Sequence, residues 1–134
     1  MARSLVSSRS PLEGEIGFSR AVRVGAHVAV AGTAPIAEKG GAAALGDVYG
    51  QTRRCLQIIA EALAAAGVEL NCVTRTRVML TDVTRWPEAA RAHGEFFKEA
   101  RPACTFFEVK RFIDPDWLVE VEADAIVEPA EPTP

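Results

Sequence analysis

The chain has 134 residues, of which 49% are hydrophobic and 25% charged, and a net charge of −3, so it fits one globular domain and not a disordered chain. Its 15 basic residues form no cluster, which argues against nucleic-acid binding. No apolar run reaches the ~18 residues of a membrane-spanning helix, and the N-terminus lacks a secretory signal, so we expect a cytoplasmic protein without a membrane anchor. Three cysteines without a C-x-x-C pair and two histidines predict no disulfide framework and no metal site, and we expect no cofactor.

We predict a single α+β domain over residues 1–134, with flexible tails at about residues 1–12 and 128–134, where hydrophobic periodicity is missing. Two short β-like runs, residues 20–24 and 27–31, flank Gly25 and Ala26 and predict a hairpin. The glycine-rich and alanine-rich segment 35–45 then predicts a flexible loop.

Two helices are expected. Asp47 is placed to cap the first, whose apolar residues recur every three or four positions until Gly67 ends it. The second is predicted over residues 86–100, with Pro87 in its first turn. Its apolar stripe consists of alanines, His93 and two phenylalanines, so His93 is interpreted as a core histidine rather than a ligand.

Alternation along two later strands divides their side chains between two faces. In residues 118–127 one face is Val/Ala-rich and suits packing under the helices. The opposite face is acidic and consists mainly of Glu120, Glu122 and Asp124. In residues 73–80 one face consists of Val73, Arg75, Arg77 and Met79. Two helices cover only one side of a sheet, so the mixed charged and apolar face predicts a subunit interface, with a solvated face as the alternative.

Five short segments occur in order over about residues 15–127. They are residues 18–25 (FSRAVRVG), 30–36 (VAGTAPI), 51–53 (QTR), 101–103 (RPA) and 118–123 (LVEVEA). Together they resemble the RidA/YjgF family, also called the endoribonuclease L-PSP family. The resemblance implies a chorismate-mutase-like fold, in which two helices pack on one face of a mixed six-stranded sheet. It also implies a homotrimer with small-molecule clefts between neighbouring subunits.

The best-studied members of that family hydrolyse enamine or imine intermediates to a 2-keto acid and ammonia. This chemistry needs a group that fixes the substrate carboxylate and a group that positions or deprotonates water. By resemblance, Glu120 is the water-positioning carboxylate, and the backbone amide of Gly32 helps to hold the substrate. Phe18 stands where the family usually has a tyrosine, so a hydroxyl is lost there.

The family's fourth strand opens with Arg-Pro-Ala-Arg-Ser/Thr, and its second arginine anchors the carboxylate. Here Arg101 matches the first arginine, and Cys104 stands at the position of the second. A neutral thiol cannot replace a guanidinium fork, so deamination of 2-aminoacrylate is expected to be weak. Cys104 is either a ligand-facing thiol or a small buried hydrophobe, and Phe106 is either a cleft wall or interface packing. The candidate catalytic residues are therefore Glu120 and Cys104, and the candidate substrate-binding residues are Phe18, Gly32, Arg101 and Phe106.

Alternation also predicts the faces of the strand that begins at Cys104. Cys104 and Phe106 are expected on one side, with Thr105, Phe107 and Val109 turned toward the helices. We further expect the strand register to place Glu120 on the Cys104 side.

Two classes of function follow from these residues. The first is a hydrolase or deaminase acting on a small imine, enamine or related metabolite, with Glu120 handling water. The second is a non-catalytic metabolite-binding or regulatory module that uses the same cleft. Glu120 could also be only one half of an interface ion pair with Arg75 or Arg77. The ribonuclease activity in the older family name fits poorly with the acidic net charge.

Overall fold

The computed structural model describes residues 2–128, so nearly all of the tail predicted at 128–134 lies outside the described residues. The strands are β1 (Arg3–Val6), β2 (Ala21–Val24), β3 (His27–Thr33), β4 (Val73–Leu80), β5 (Ala103–Glu108) and β6 (Val119–Ile126). The α-helices are α1 (Glu13–Ile16), α2 (Val48–Ala65) and α3 (Trp86–Phe97). Within residues 2–128 no helix combines the length and apolarity needed to cross a bilayer.

The six strands form one mixed sheet in the order β1-β2-β3-β6-β4-β5. The β4–β5 pair is parallel, and the other pairs are antiparallel. The predicted hairpin is present, with Val24 opposite His27 and Gly25 at a φ of 59° in the turn between them. The predicted α+β class with a mixed six-stranded sheet is therefore confirmed.

The N-terminal segment differs from the prediction of a flexible tail over residues 1–12. Residues 3–6 form β1, which pairs in antiparallel fashion with β2 at the edge of the sheet. Most of β1 is exposed, so its sequence carries no apolar alternation that would reveal a strand. The strand is therefore formed through its hydrogen bonds to β2, and no pattern in its own sequence predicts it.

Helix α2 begins where the sequence predicts, because the Asp47 side chain accepts a hydrogen bond of 3.0 Å from the Gly50 amide. A Cβ on Gly50 would lie 2.6 Å from the Asp47 carboxylate, so this cap requires glycine at position 50. The buried face of α2, centred on Leu56 and Ile59, packs on β3 and β6, and α3 packs beside it. Both long helices thus lie on one side of the sheet.

The predicted faces of β6 are confirmed. Val121, Ala123 and Ala125 are buried under the helices, and Glu120 lies on the opposite face, where it is paired with Met79 of β4.

The predicted face of β4 is wrong at Val73. An irregularity between Val73 and Arg75 shifts the register, so Val73 turns into the core and only the later residues of its predicted face lie on the helix-free side.

The predicted faces of β5 are wrong. Cys104 pairs with Thr76 and Phe106 with Val78, two buried residues of the helix side of β4. Paired residues on neighbouring strands point to the same face, so Cys104 and Phe106 lie on the helix side. Thr105 and Phe107 lie on the helix-free side instead of facing the helices.

Candidate functional site

Glu120 and Gly32 lie together at one end of the sheet. The β3–β6 register shifts between Val30 and Thr33, and this irregularity brings Gly32 beside the start of β6. A Cβ on Gly32 would lie 3.4 Å from Glu120 Oε1, so the carboxylate lies over the glycine in near contact. Any larger side chain at position 32 would occupy the space in front of this carboxylate.

Arg20 ties the same irregular segment to β2. Its Nη1 donates to the carbonyl oxygen of Gly32 at 3.0 Å and to Thr33 Oγ1 at 3.1 Å. The Thr33 hydroxyl in turn donates to the Ala31 carbonyl at 2.8 Å. Arg20 is half-buried, so this network holds the backbone around Gly32 in one arrangement.

Arg20 also sets the electrostatic environment of Glu120. Burial raises the pKa of the Glu120 carboxyl, the nearby Arg20 guanidinium opposes this rise, and Glu122 adds to it. Arg20 and Glu120 do not form an ion pair within 4 Å in the described residues. Arg20 therefore affects the pKa of Glu120 by a longer-range charge interaction. Within the described part of the chain Glu120 is therefore a half-buried carboxyl without a direct cationic partner, which is typical of a group that meets a ligand or water.

The alternative interpretation makes Glu120 one half of an ion pair with Arg75 or Arg77, and neither pair forms within residues 2–128 of one chain. Arg77 Nη1 contacts Glu122 at 3.2 Å and Asp124 at 3.3 Å, both on the helix-free face. Two of the three acidic residues of β6, Glu122 and Asp124, therefore form ion pairs with Arg77. Glu120 does not contact Arg77.

Gln51 supports this end of the sheet, a role that the sequence reasoning missed. It is fully buried on α2, and its Nε2 donates to the Asp116 carbonyl at 2.9 Å. Its Oε1 accepts from the Leu118 amide at 2.8 Å. Both bonds fix the chain immediately before Glu120. A polar residue inside the apolar face of a helix was the available signal, because a buried amide requires partners.

Cys104 and Phe106 belong to a second cluster, on the helix side of β5. The Phe106 ring lies 6.2 Å from the Trp86 ring and 6.2 Å from the His93 ring, measured between centroids. His93 Nε2 lies 2.8 Å from Thr76 Oγ1, and burial lowers the pKa of this histidine. Cys104 is exposed next to Thr76, so this cluster forms an accessible aromatic wall with a thiol beside it.

Within one chain Cys104 and Glu120 are not close together, so the predicted strand register is wrong on this point. They lie on opposite faces of the sheet, since Glu120 pairs with Met79 and Cys104 with Thr76. Strand spacing and rise separate their Cα atoms by roughly 14 Å. The physical reason is that β5 is an edge strand whose faces are set by its pairing with β4. A shared site therefore requires two subunits.

Phe18 and Arg101, the two remaining predicted site residues, lie outside these two clusters. Phe18 is half-buried and follows Gly17, the residue that ends α1, and its amide donates to the Glu13 carbonyl at 3.1 Å. Arg101 is exposed, has a φ of 51°, and its amide donates to the Phe97 carbonyl at 2.8 Å. Its backbone therefore closes the end of α3, and its side chain is accessible near the start of β5.

The fold defines an α+β protein with two long helices on one face of a mixed six-stranded sheet, and comparison with known proteins identifies its family. The family described as endoribonuclease L-PSP matches residues 9–127. The chain belongs to this family, the RidA/YjgF family. An uncharacterised protein of Streptomyces coelicolor is 42% identical over 121 residues, covering 90% of this chain and 89% of that protein. A human 2-iminobutanoate/2-iminopropanoate deaminase is 28% identical over 125 residues, covering 92% and 90%.

A solved structure supports the fold. The crystal structure of Rv2704, a member of the YjgF/YER057c/UK114 family from Mycobacterium tuberculosis, is 43% identical with a TM-score of 0.84. The match covers 94% of this chain and all of that one. The predicted family and its fold are thereby confirmed.

The role of Arg20 is testable without a substrate. Replacing Arg20 by Gln removes the charge that lowers the pKa of Glu120, so this pKa is expected to rise. Carbon NMR of labelled glutamate side chains, followed during a pH titration, measures the midpoint. Arg20→Lys keeps the charge and should shift the midpoint less. An unchanged or lower midpoint in Arg20→Gln would contradict the assigned electrostatic role.

Proposed function

We propose that this protein is a homotrimeric hydrolase or deaminase that acts on a small imine, enamine or related metabolite in a cleft between subunits. The observation that carries the proposal is Glu120, a half-buried carboxyl that lies over Gly32 and forms no ion pair within residues 2–128. Family membership, and the deaminase name of the human relative, support the reaction class.

The assembly is supported by the helix-free face. Apolar side chains remain exposed there on several strands, including Leu5 at 63%, Phe107 at 36% and Ile126 at 44% exposure. The ion-paired Arg77 lies among them. Such a face gains stability when a second copy covers it, because apolar area is removed from water and the Arg77 charge buried with it is already paired.

We place the cleft at the edge of the same assembly, where the edge strand β5 of one subunit meets its neighbour. Glu120 and Cys104 point away from each other within one chain, and both are accessible. In a symmetric trimer each subunit can supply the Glu120 end of one cleft and the Cys104 end of the next. We place Phe18, Gly32 and Glu120 on the first side, and Arg101, Cys104 and Phe106 on the second.

In the proposed reaction, water adds to the carbon of a protonated imine. The Glu120 carboxylate accepts a proton from this water as the carbon–oxygen bond forms. Glu120 then returns this proton to the carbinolamine nitrogen. As the carbon–nitrogen bond breaks, the hydroxyl proton passes to the Glu120 carboxylate, and the departing ammonia takes it up as ammonium, which leaves the carbonyl product. Iminium and water are thus converted to ketone and ammonium with no further reactant. Because the carboxylate form is the base, the rate should rise with pH through the raised pKa of Glu120.

The Cys104 end of the cleft favours a particular class of substrate. It offers an exposed thiol and the aromatic side chains of Trp86 and Phe106, and no guanidinium stands at position 104. Such a surface binds an apolar group better than a carboxylate. We therefore expect imines that carry a large apolar substituent to react faster than 2-iminopropanoate.

The experiment is a coupled assay. An amino-acid oxidase generates imines in situ from alanine, leucine, methionine or phenylalanine, and release of ammonia is followed with and without the protein. Acceleration for the larger side chains, with a small effect for alanine, is the expected result. Preference for the alanine-derived imine would indicate that another group, such as Arg101, anchors the carboxylate. Ligand binding without turnover would support a non-catalytic binding module instead.

A further inference from the structure

A second cavity lies on the helix side of β1 and β2, away from Glu120. Helix α2 packs on β3 and β6, and α3 contacts β4 and β5 through His93 and Trp86. Residues 6–10 and the 36–40 segment line the remaining corner. The cavity has a volume of about 750 Å³ and an apolar floor that includes Val6, Ile58 and Ala62. This volume lies within the usual range of small-molecule sites.

Three arginines from three different segments line this cavity: Arg9, Arg20 and Arg54. Its acids, Glu38 and Glu61, are both exposed, whereas Arg20 and Arg54 are half-buried. The deeper part of the cavity is therefore cationic. An ion that enters it meets two guanidinium groups that are already partly removed from water, which strengthens each charged contact.

Both deeper arginines are held in place by the backbone. Arg54 Nε donates to the Ile36 carbonyl at 2.6 Å, and Arg20 is fixed through Nη1 as described above. Within residues 2–128, Nε and Nη2 of Arg20 and Nη2 of Arg54 make no hydrogen bond. These guanidinium groups are thus positioned while part of their donor capacity stays unused.

The loop that carries Arg9 is also fixed. The Arg9 amide donates to Ser7 Oγ at 2.9 Å, and Glu13 accepts hydrogen bonds from the Ser7 and Ser8 hydroxyls. Arg9 itself has a φ of 65°, an uncommon conformation for a residue other than glycine. A local network therefore maintains a strained residue on the cavity wall, which reduces the ordering cost of binding there.

We propose that this cavity is a second ligand site, for a small organic carboxylate whose oxyanion binds Arg20 and Arg54 and whose apolar chain lies over Ile58 and Ala62. Guanidinium groups recognise carboxylate or phosphate through paired N–H donors, and the apolar floor distinguishes the two in favour of an organic acid. Binding in this cavity does not require the proposed hydrolysis to take place.

The two sites share Arg20. A bound carboxylate places a negative charge beside the guanidinium that lowers the pKa of Glu120, so occupancy of the cavity should raise that pKa.

The test is titration of the full-length protein with butanoate, inorganic phosphate and butylamine, followed by amide NMR. Saturable shifts in residues 6–10, 36–40 and 54–62 are expected with butanoate, weaker shifts with phosphate and none with butylamine. Arg54→Gln should weaken butanoate binding at least about tenfold. Arg53→Gln is the matched control, because the neighbouring Arg53 contacts Glu95 at 2.7 Å on another side of α2.

Glu120→Gln separates this proposal from the proposed function. Butanoate should still bind to this variant, whatever its hydrolytic activity. Loss of binding in Glu120→Gln but not in Arg54→Gln would place the anion in the Glu120 cleft and overturn the proposal. Absence of saturable shifts, or equal weakening by Arg53→Gln and Arg54→Gln, would overturn it as well.

Discussion

Glu120→Gln is expected to lower kcat/KM for the best imine substrate by about 10²–10⁴-fold, the usual contribution of a positioned general base. Glutamine keeps the size of the side chain beside Gly32 but cannot accept the proton of the attacking water. The fold should be retained, because Glu120 makes no ion pair within residues 2–128 that its replacement would break. The coupled ammonia assay measures the effect, and circular dichroism checks the fold.

Glu122→Gln is the matched control for this variant. Glu122 is the next acid on the same face of β6, and it contacts Arg77 at 3.2 Å. Its loss weakens a partly exposed ion pair, which should leave kcat/KM within about threefold of the original. Similar losses in both variants would mean that charge on this face supports assembly, and that Glu120 has no specific role with water.

Cys104→Arg is expected to raise kcat/KM for 2-iminopropanoate by about 10–100-fold, because a charge-assisted contact to the substrate carboxylate contributes about 1.5–3 kcal/mol. The thiol is exposed, so the longer side chain can extend into the cleft without overpacking the core. The same assay, run with the alanine-derived imine, measures the gain.

Cys104→Lys controls for charge alone. Lysine supplies a positive charge without the planar fork, so it should give a smaller gain than arginine. The imines with large apolar substituents should gain little from either variant. No gain in Cys104→Arg, in a protein that stays folded and trimeric, would show that position 104 does not meet the substrate carboxylate.

The parts of the fold that follow a repeating physical pattern were predictable. The apolar periodicity of α2, its Asp47 cap and the alternation in β6 each involve several residues, and each is present in the structure. Gly25 predicted the hairpin because a turn there needs a positive φ. These signals are local, so the sequence contains them in full.

The faces of β5 and the role of Arg20 were not predictable in the same way. Adjacent phenylalanines at 106 and 107 give no apolar alternation, and the faces of this edge strand depend on its pairing with β4. Arg20 looks like an ordinary solvated residue until β3 brings Gly32 and Thr33 to it. Such features depend on tertiary contacts between distant segments.

The claim that each cleft is built from two subunits can be tested most directly with mixed trimers. Glu120→Gln removes one end of the cleft, and Cys104→Trp is designed to fill the other, so each variant alone should be nearly inactive. When the two are co-expressed and the mixed trimers are isolated, about a third of the clefts combine an intact Glu120 with an intact Cys104 from the neighbouring subunit. We predict recovery of about that fraction of the original activity. Activity no higher than the sum of the two separate variants would contradict a site shared between subunits.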